Sequence, residues 1–188
     1  LGTSKMKNIL SSKLIKYTVN PVMGGPVQSE EGILGGIWGG DNSDFEVSKK
    51  YLSSFCKNVY NFGNVEKASK AKLLSNFLSL LTTTTVIEFF RSANKLDIDT
   101  QLLCDVAKLG SGNSGALDRI SSKALKGDFK GYVFSVNNTL KDLTYISDLL
   151  KDSKNGEQLS QIAKSFYKSA QEKGFGDLLV SELIEKDY

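Results

Sequence analysis

The chain has 188 residues, 40% of them apolar and 24% charged, which fits one large globular domain or two small ones. Its net charge of +3 is carried almost wholly by lysine, with Arg91 and Arg119 the only arginines. Lysines alternate with acids along helical stretches, which excludes the clustered basic stripe of a nucleic-acid partner. There is no histidine. That removes Ser-His-Asp and Cys-His chemistry and most zinc sites, so an acid or base must be Lys, Asp, Glu, Tyr or Cys.

Two cysteines, Cys56 and Cys104, lie in apolar patterns read as helical, outside any CxxC spacing. They read as buried, reduced thiols of an intracellular protein, cytoplasmic rather than mitochondrial. No membrane partner is expected: the apolar stretch Phe77–Phe90 is broken by four threonines and is shorter than the roughly 18 residues a span needs. The chain opens on Leu1 with no signal-like or transit-like start, and reads as a portion of something longer.

In chain order, residues 1–14 form a weak amphipathic helix. Leu14–Val19 is β-rich and ends at Asn20-Pro21, a strand followed by a turn. The loop NPVMGGP follows, and its Gly24-Gly25 pair permits close backbone approach. Gly32–Gly40, GILGGIWGG, reads as a second strand. Asp41 and Ser43 are N-cap types, and Phe45, Tyr51, Leu52, Phe55 and Val59 continue at helical spacing. A short strand, Asn58–Phe62, closes this part. So few strands and helices cannot cover both faces of a sheet, so residues 1–63 read as part of an α/β domain.

After Gly63 the pattern is helical, with glycines at C′-like positions. A long helix, about Val65–Ala93, is apolar on several sides and should be buried all round. Its Thr82–Thr85 run reads as a means of close helix contact. Further helices are predicted at about Asp99–Leu109, Ala116–Leu125, Tyr132–Lys151, Gln158–Lys173 and Asp177–Glu185. Residues 64–188 are thus expected to form an all-helical domain with its own core.

At the junction, GNVEKASKAKLLSN (Gly63–Asn76) places Lys72 and Asn76 four residues apart, on one helix face. A lysine desolvated in a cleft can donate or accept a proton near neutrality.

Three ordered segments carry a resemblance. Val19–Gly25 reads VNPVMGG and Gly32–Gly40 reads GILGGIWGG; Gly63 and Lys72 are nine apart with Ser75-Asn76 beyond; Phe134 precedes Lys141-Asp142-Leu143. Together they resemble the β-hydroxyacid dehydrogenases, the group around 3-hydroxyisobutyrate dehydrogenase, over roughly residues 15–188. The resemblance implies the second half of a Rossmann-like dinucleotide-binding domain, then a C-terminal helical domain like that of 6-phosphogluconate dehydrogenase. It also implies NAD or NADP as cofactor, a small hydroxy-acid substrate, and a homo-dimer or tetramer formed through the helical domain. Lys72 would be the general acid/base, and Asn76 would hold substrate or orient Lys72. Met23, Gly24 and Gly25 would meet the substrate, the glycine amides facing its carboxylate. Phe134 and Lys141 would meet the cofactor, with Asp142 fixing the end of its helix.

The sequence also departs from that pattern. Met23 stands where the family has a substrate-binding serine, Val19 where it has an acid, and Glu66 and Ala68 where it has glycines. No GxGxxG fingerprint follows a strand. The alternative reading is a non-catalytic member that uses the helical domain for dimerisation or scaffolding. Asn137-Asn138-Thr139 matches a glycosylation sequon by chance.

Overall fold

The computed structural model describes residues 2–188. They form two compact units that divide inside one long helix, the first ending at Ser75 and the second covering Asn76–Tyr188.

The first unit opens with helix α1 (Gly2–Ser11), followed by β1 (Val22–Met23), α2 (Pro26–Glu30), β2 (Leu34–Trp38), α3 (Phe45–Leu52) and β3 (Cys56–Asn61). The sheet order is β1-β2-β3, with β1 antiparallel and β3 parallel to β2. Parallel neighbours need a crossover, which α3 supplies as a β-α-β unit. Trp38 is fully buried and packs against a tilted Phe45 ring with centroids 5.0 Å apart, with Leu34, Ile37, Cys56, Val65 and Ala68 around this small core.

The strand expected at Leu14–Val19 falls later. Leu14 sits in a left-handed turn after α1 (φ 59°), and only Val19 bridges β2, at Gly39. Pro21 has no N–H, so it can only accept from Ile37 (2.8 Å) before pairing resumes at Val22. The NPVMGGP stretch, expected to be all loop, therefore contains β1 and the start of α2. The helix expected to run on towards Val59 stops at Leu52. Hydroxyls of Ser53 and Ser54 bond back to the carbonyls of Lys49 and Tyr51 (2.8 and 2.7 Å), which ends it. Cys56, expected in a helix, begins β3 instead.

Helix α4 (Val65–Lys95) carries the chain from the first unit into the second. There α5 (Thr100–Leu109), α6 (Gly115–Ala124), α7 (Val136–Leu150) and α8 (Lys154–Glu172) follow, and a 3-10 turn covers Val180–Glu185. Side chains of Asp99, Ser114 and Ser135 cap α5, α6 and α7 by accepting from Leu102, Leu117 and Asn138 amides. Gly127 and Gly174 take the left-handed conformation after α6 and α8, whereas Gly110 stays extended.

Helix α7 starts four residues later than expected. The Phe134–Val136 backbone is committed elsewhere: Val180 N–H donates to Phe134 O and Val136 N–H to Leu178 O, both at 2.9 Å. The same bridge replaces the predicted last helix with a short 3-10 turn.

In α4, the hydroxyls of Thr82 to Thr85 donate to carbonyls four residues back, so these polar groups need no outside partner. Thr84 also meets Tyr167 Oη at 2.8 Å. Burial is not all round, however: Leu74 and Leu78 are exposed. By length and composition α4 passes the threshold for a membrane span that Phe77–Phe90 alone did not reach. Here its Leu80, Val86, Ile87, Phe90 and Ala93 are core residues of the helical unit. Both cysteines are buried, and desolvation pushes each thiol above its ordinary pKa, away from reactive thiolate.

The start of α4 is fitted against the end of β2 through Gly39. A Cβ there would lie 2.5 Å from both Ala68 Cβ and the Asn64 carbonyl oxygen. Gly39→Ala is therefore expected to destabilise the first unit by about 1–3 kcal/mol through overpacking. Urea unfolding followed by fluorescence of the buried Trp38 reads this directly, and an unchanged midpoint would refute the close fit.

Candidate active site

In the first unit, β1 and the loop after it hold three of the residues singled out in the sequence. Met23 pairs with Gly35 of β2, whose missing side chain leaves 3.7 Å between an ideal Cβ and Met23 Cβ. Gly24 follows with φ +130°, a conformation that favours glycine, and an added Cβ would meet Leu34 Cδ2 at 2.6 Å. The loop is therefore fixed in place by packing.

Lys72 reaches this loop from α4. Its Nζ donates to the Val22 carbonyl at 2.7 Å and contacts Met23 Sδ at 3.1 Å. Segments some fifty residues apart in sequence thus meet at one ammonium. The carbonyl bond is short and charge-assisted, while the thioether is a weak acceptor that adds polarizable packing.

In the same loop, Gly25 N–H donates to Gln28 Oε1 at 2.9 Å. Gln28 is the third residue of α2, and its side chain folds back onto the residue before the helix, as in a capping box. A backbone anion nest needs successive amides. Here the Gly25 amide is turned to Gln28.

In the second unit, Asn76 Nδ2 donates to Asp142 Oδ2 at 2.8 Å. Asp142 lies within α7 with its side chain 15% exposed, and it also meets Lys141 Nζ at 3.4 Å. The expectation that Asp142 fixes its helix end is replaced by this geometry: Ser135 caps α7, and Asp142 receives Asn76. Lys141 is 55% exposed, and Phe134 is half-buried before the helix rather than inside it. A depression of about 440 Å³, lined by Glu88, Arg91, Lys95 and the 184–187 stretch, contains none of the predicted site residues. Among the described residues, no three His, Cys, Asp or Glu side chains cluster as a metal site.

Residues 67–186 match the family described as NAD-binding of NADP-dependent 3-hydroxyisobutyrate dehydrogenase. The chain belongs to this family. An uncharacterized oxidoreductase of Synechocystis sp. is 28% identical over 134 residues, covering 71% of this chain and 46% of that protein. A mitochondrial 3-hydroxyisobutyrate dehydrogenase of Drosophila melanogaster is 23% identical, covering 95% of this chain and 58% of that one. The crystal structure of 3-hydroxyisobutyrate dehydrogenase from Salmonella typhimurium superposes with a TM-score of 0.85 at 22% identity, over 97% of this chain and 64% of that one. The fold is therefore the later part of that architecture, a remnant of the α/β domain followed by the helical domain. The chain spans about half the length of the curated relatives it matches.

For a member of the 3-hydroxyisobutyrate dehydrogenase family, the sequence reading missed Gln28 and the Val22 carbonyl. Gln28 carried a usable signal, since Gly25-Pro26-Val27-Gln28 has the spacing of a helix start with a glutamine at the third position. The Val22 carbonyl had none, because a main-chain acceptor has no residue type. Glu66, a departure that sets an acid near the site helix, is paired with Lys70 at 2.5 Å, and that partner holds its carboxyl below the ordinary range.

Removing Asp142 strands the Asn76 amide, whereas Lys141 loses only an exposed pair. Asp142→Ala is expected to cost about 1–2 kcal/mol and Lys141→Ala less than about 0.5 kcal/mol in urea unfolding. Equal losses would show that the Asn76–Asp142 bond contributes nothing.

Proposed function

We propose that this chain works within an NAD- or NADP-dependent oxidoreductase that interconverts a small hydroxy compound, of the β-hydroxy acid type, and its carbonyl or semialdehyde form. The observation that carries this reading is the Lys72 ammonium held on the Val22 carbonyl and Met23 sulfur, in a chain whose family is defined by nicotinamide-dependent dehydrogenases. Residues 1–63 would be the remnant of the cofactor domain and residues 64–188 the helical domain.

In this reading, Lys72 is the general acid/base. For oxidation, its amine takes the hydroxyl proton as the carbon gives up hydride; for reduction, the ammonium returns a proton to the carbonyl oxygen. Proton transfer by a positioned lysine contributes about 10²–10⁴-fold to rate. The bound nicotinamide would supply the hydride-transfer capacity. Lys141 and Phe134 fit such a cofactor in kind: an exposed cation suits a phosphate-bearing molecule, and a half-buried aromatic ring suits a flat one. Asn76, held by Asp142, would present its remaining amide atoms to substrate.

The assembly we propose is a homo-dimer or tetramer through the helical domain. Leu102, Val106 and Leu109 support it, exposed on α5 at 64%, 67% and 89% with helical spacing.

The test is steady-state and binding work on the full-length protein. Lys72→Met should lower turnover by at least about 10²-fold while nicotinamide binding, read by fluorescence, is retained. Wild-type turnover by Lys72→Met would end the assignment. The same preparation should sediment as a dimer or tetramer, and a strict monomer at high concentration would contradict the assembly.

A further inference from the structure

The surroundings of Lys72 also bear on what kind of substrate the site takes. This step rests on the oxidoreductase reading above and replaces the free acid named there by an uncharged derivative.

Three features of the first unit converge on the loop after β1. Met23 turns its sulfur to Lys72 Nζ at 3.1 Å, which sets an apolar thioether beside the ammonium. Gly25 N–H is bound to Gln28 Oε1 at 2.9 Å within the helix start, so it is not offered to an anion. Leu34 Cδ2 packs where a Gly24 side chain would be, which adds a second apolar group beneath the loop.

A carboxylate taken from water needs replacement donors, and an apolar neighbour supplies none. The usual protein solution is two or more N–H or O–H groups, or an arginine fork. Lys72 is assigned to the reacting oxygen, so it does not double as the carboxylate's counter-ion. Gln28 also opposes an anion directly: the atom it turns to the loop is its carbonyl oxygen, an acceptor. An uncharged group such as an ester loses far less on leaving water than a carboxylate does, and it gains contact with the Met23 thioether.

We infer that the β1–α2 loop selects substrates with an uncharged group where a hydroxy acid carries its carboxylate, such as hydroxy esters or simple aldehydes, over free hydroxy acids. Met23 is the specificity-determining residue and Gln28 the positioning residue that withholds the Gly25 amide.

The experiment uses full-length protein with NAD and with NADP, and a short series of matched pairs: 3-hydroxyisobutyrate and its methyl ester, with homologues differing in chain length. The expected result is a kcat/KM at least about tenfold higher for each ester than for its acid, the scale on which apolar pocket contacts discriminate. Met23→Ser should move the ratio towards the acid by about tenfold or more, while Met23→Leu, which keeps the site apolar, should retain the ester preference. Gln28→Ala, which releases the Gly25 amide, should move it in the same direction as Met23→Ser, mainly through KM for the acid. Acid preferred over ester by the wild-type protein would overturn this inference and leave the oxidoreductase reading standing. A ratio unmoved by both Met23→Ser and Gln28→Ala would do the same. Turnover of neither member of any pair would overturn both. The wild-type ratio needs no variant, so a substitution that fails to fold leaves the test intact.

Discussion

One charge-assisted hydrogen bond organises the first unit's site: Lys72 Nζ on the Val22 carbonyl, with Met23 Sδ beside it. It ties a strand near the start of the chain to the second turn and beyond of α4. An ammonium in a partly buried setting must keep such partners or lose more in desolvation than it gains in packing. The bond thus fixes both where the lysine points and which face of the β1 loop it reads.

That bond is possible because the sheet and helix approach each other closely at small residues. Gly35 lets Met23 lie flat on β2, and Gly39 lets β2 abut Asn64 and Ala68 at the beginning of α4. Gly24 turns the chain with a positive φ so that α2 can start at Pro26 and Gln28 can close its amide. The glycines of the 32–40 stretch thus serve here as packing surfaces. In the helical unit, the corresponding device is the row of threonine hydroxyls bonded to their own helix, which lets polar residues sit in its core.

Much of this was legible in the sequence, for identifiable reasons. Long elements with a 3.6-residue period, such as α4 and α5, declared themselves through their apolar spacing, and glycines at C′-like positions such as Gly174 marked helix ends. Lys72 was singled out through the resemblance carried by Gly63, Lys72 and Asn76 together with two other segments, and its contacts with Val22 and Met23 had no signal there. What escaped were features set by backbone commitments between distant segments. The late start of α7 follows from Phe134–Val136 pairing with the 178–180 stretch, and no local pattern encodes it. The break at Pro21 moved a strand by several residues for a similar reason. At the site, the bond from the Gly25 amide to Gln28, three residues on, was not read from the sequence.

The account comes down to whether Lys72 leaves its carbonyl to serve a substrate oxygen. The most direct measurement is a crystal structure of the full-length protein with oxidised nicotinamide and a non-reacting substrate analogue that keeps the hydroxyl. The account predicts Lys72 Nζ within about 2.6–3.2 Å of that hydroxyl oxygen. A bound analogue whose hydroxyl lies beyond reach of Lys72, with the ammonium still on Val22 and Met23 and another group holding the oxygen, would contradict it.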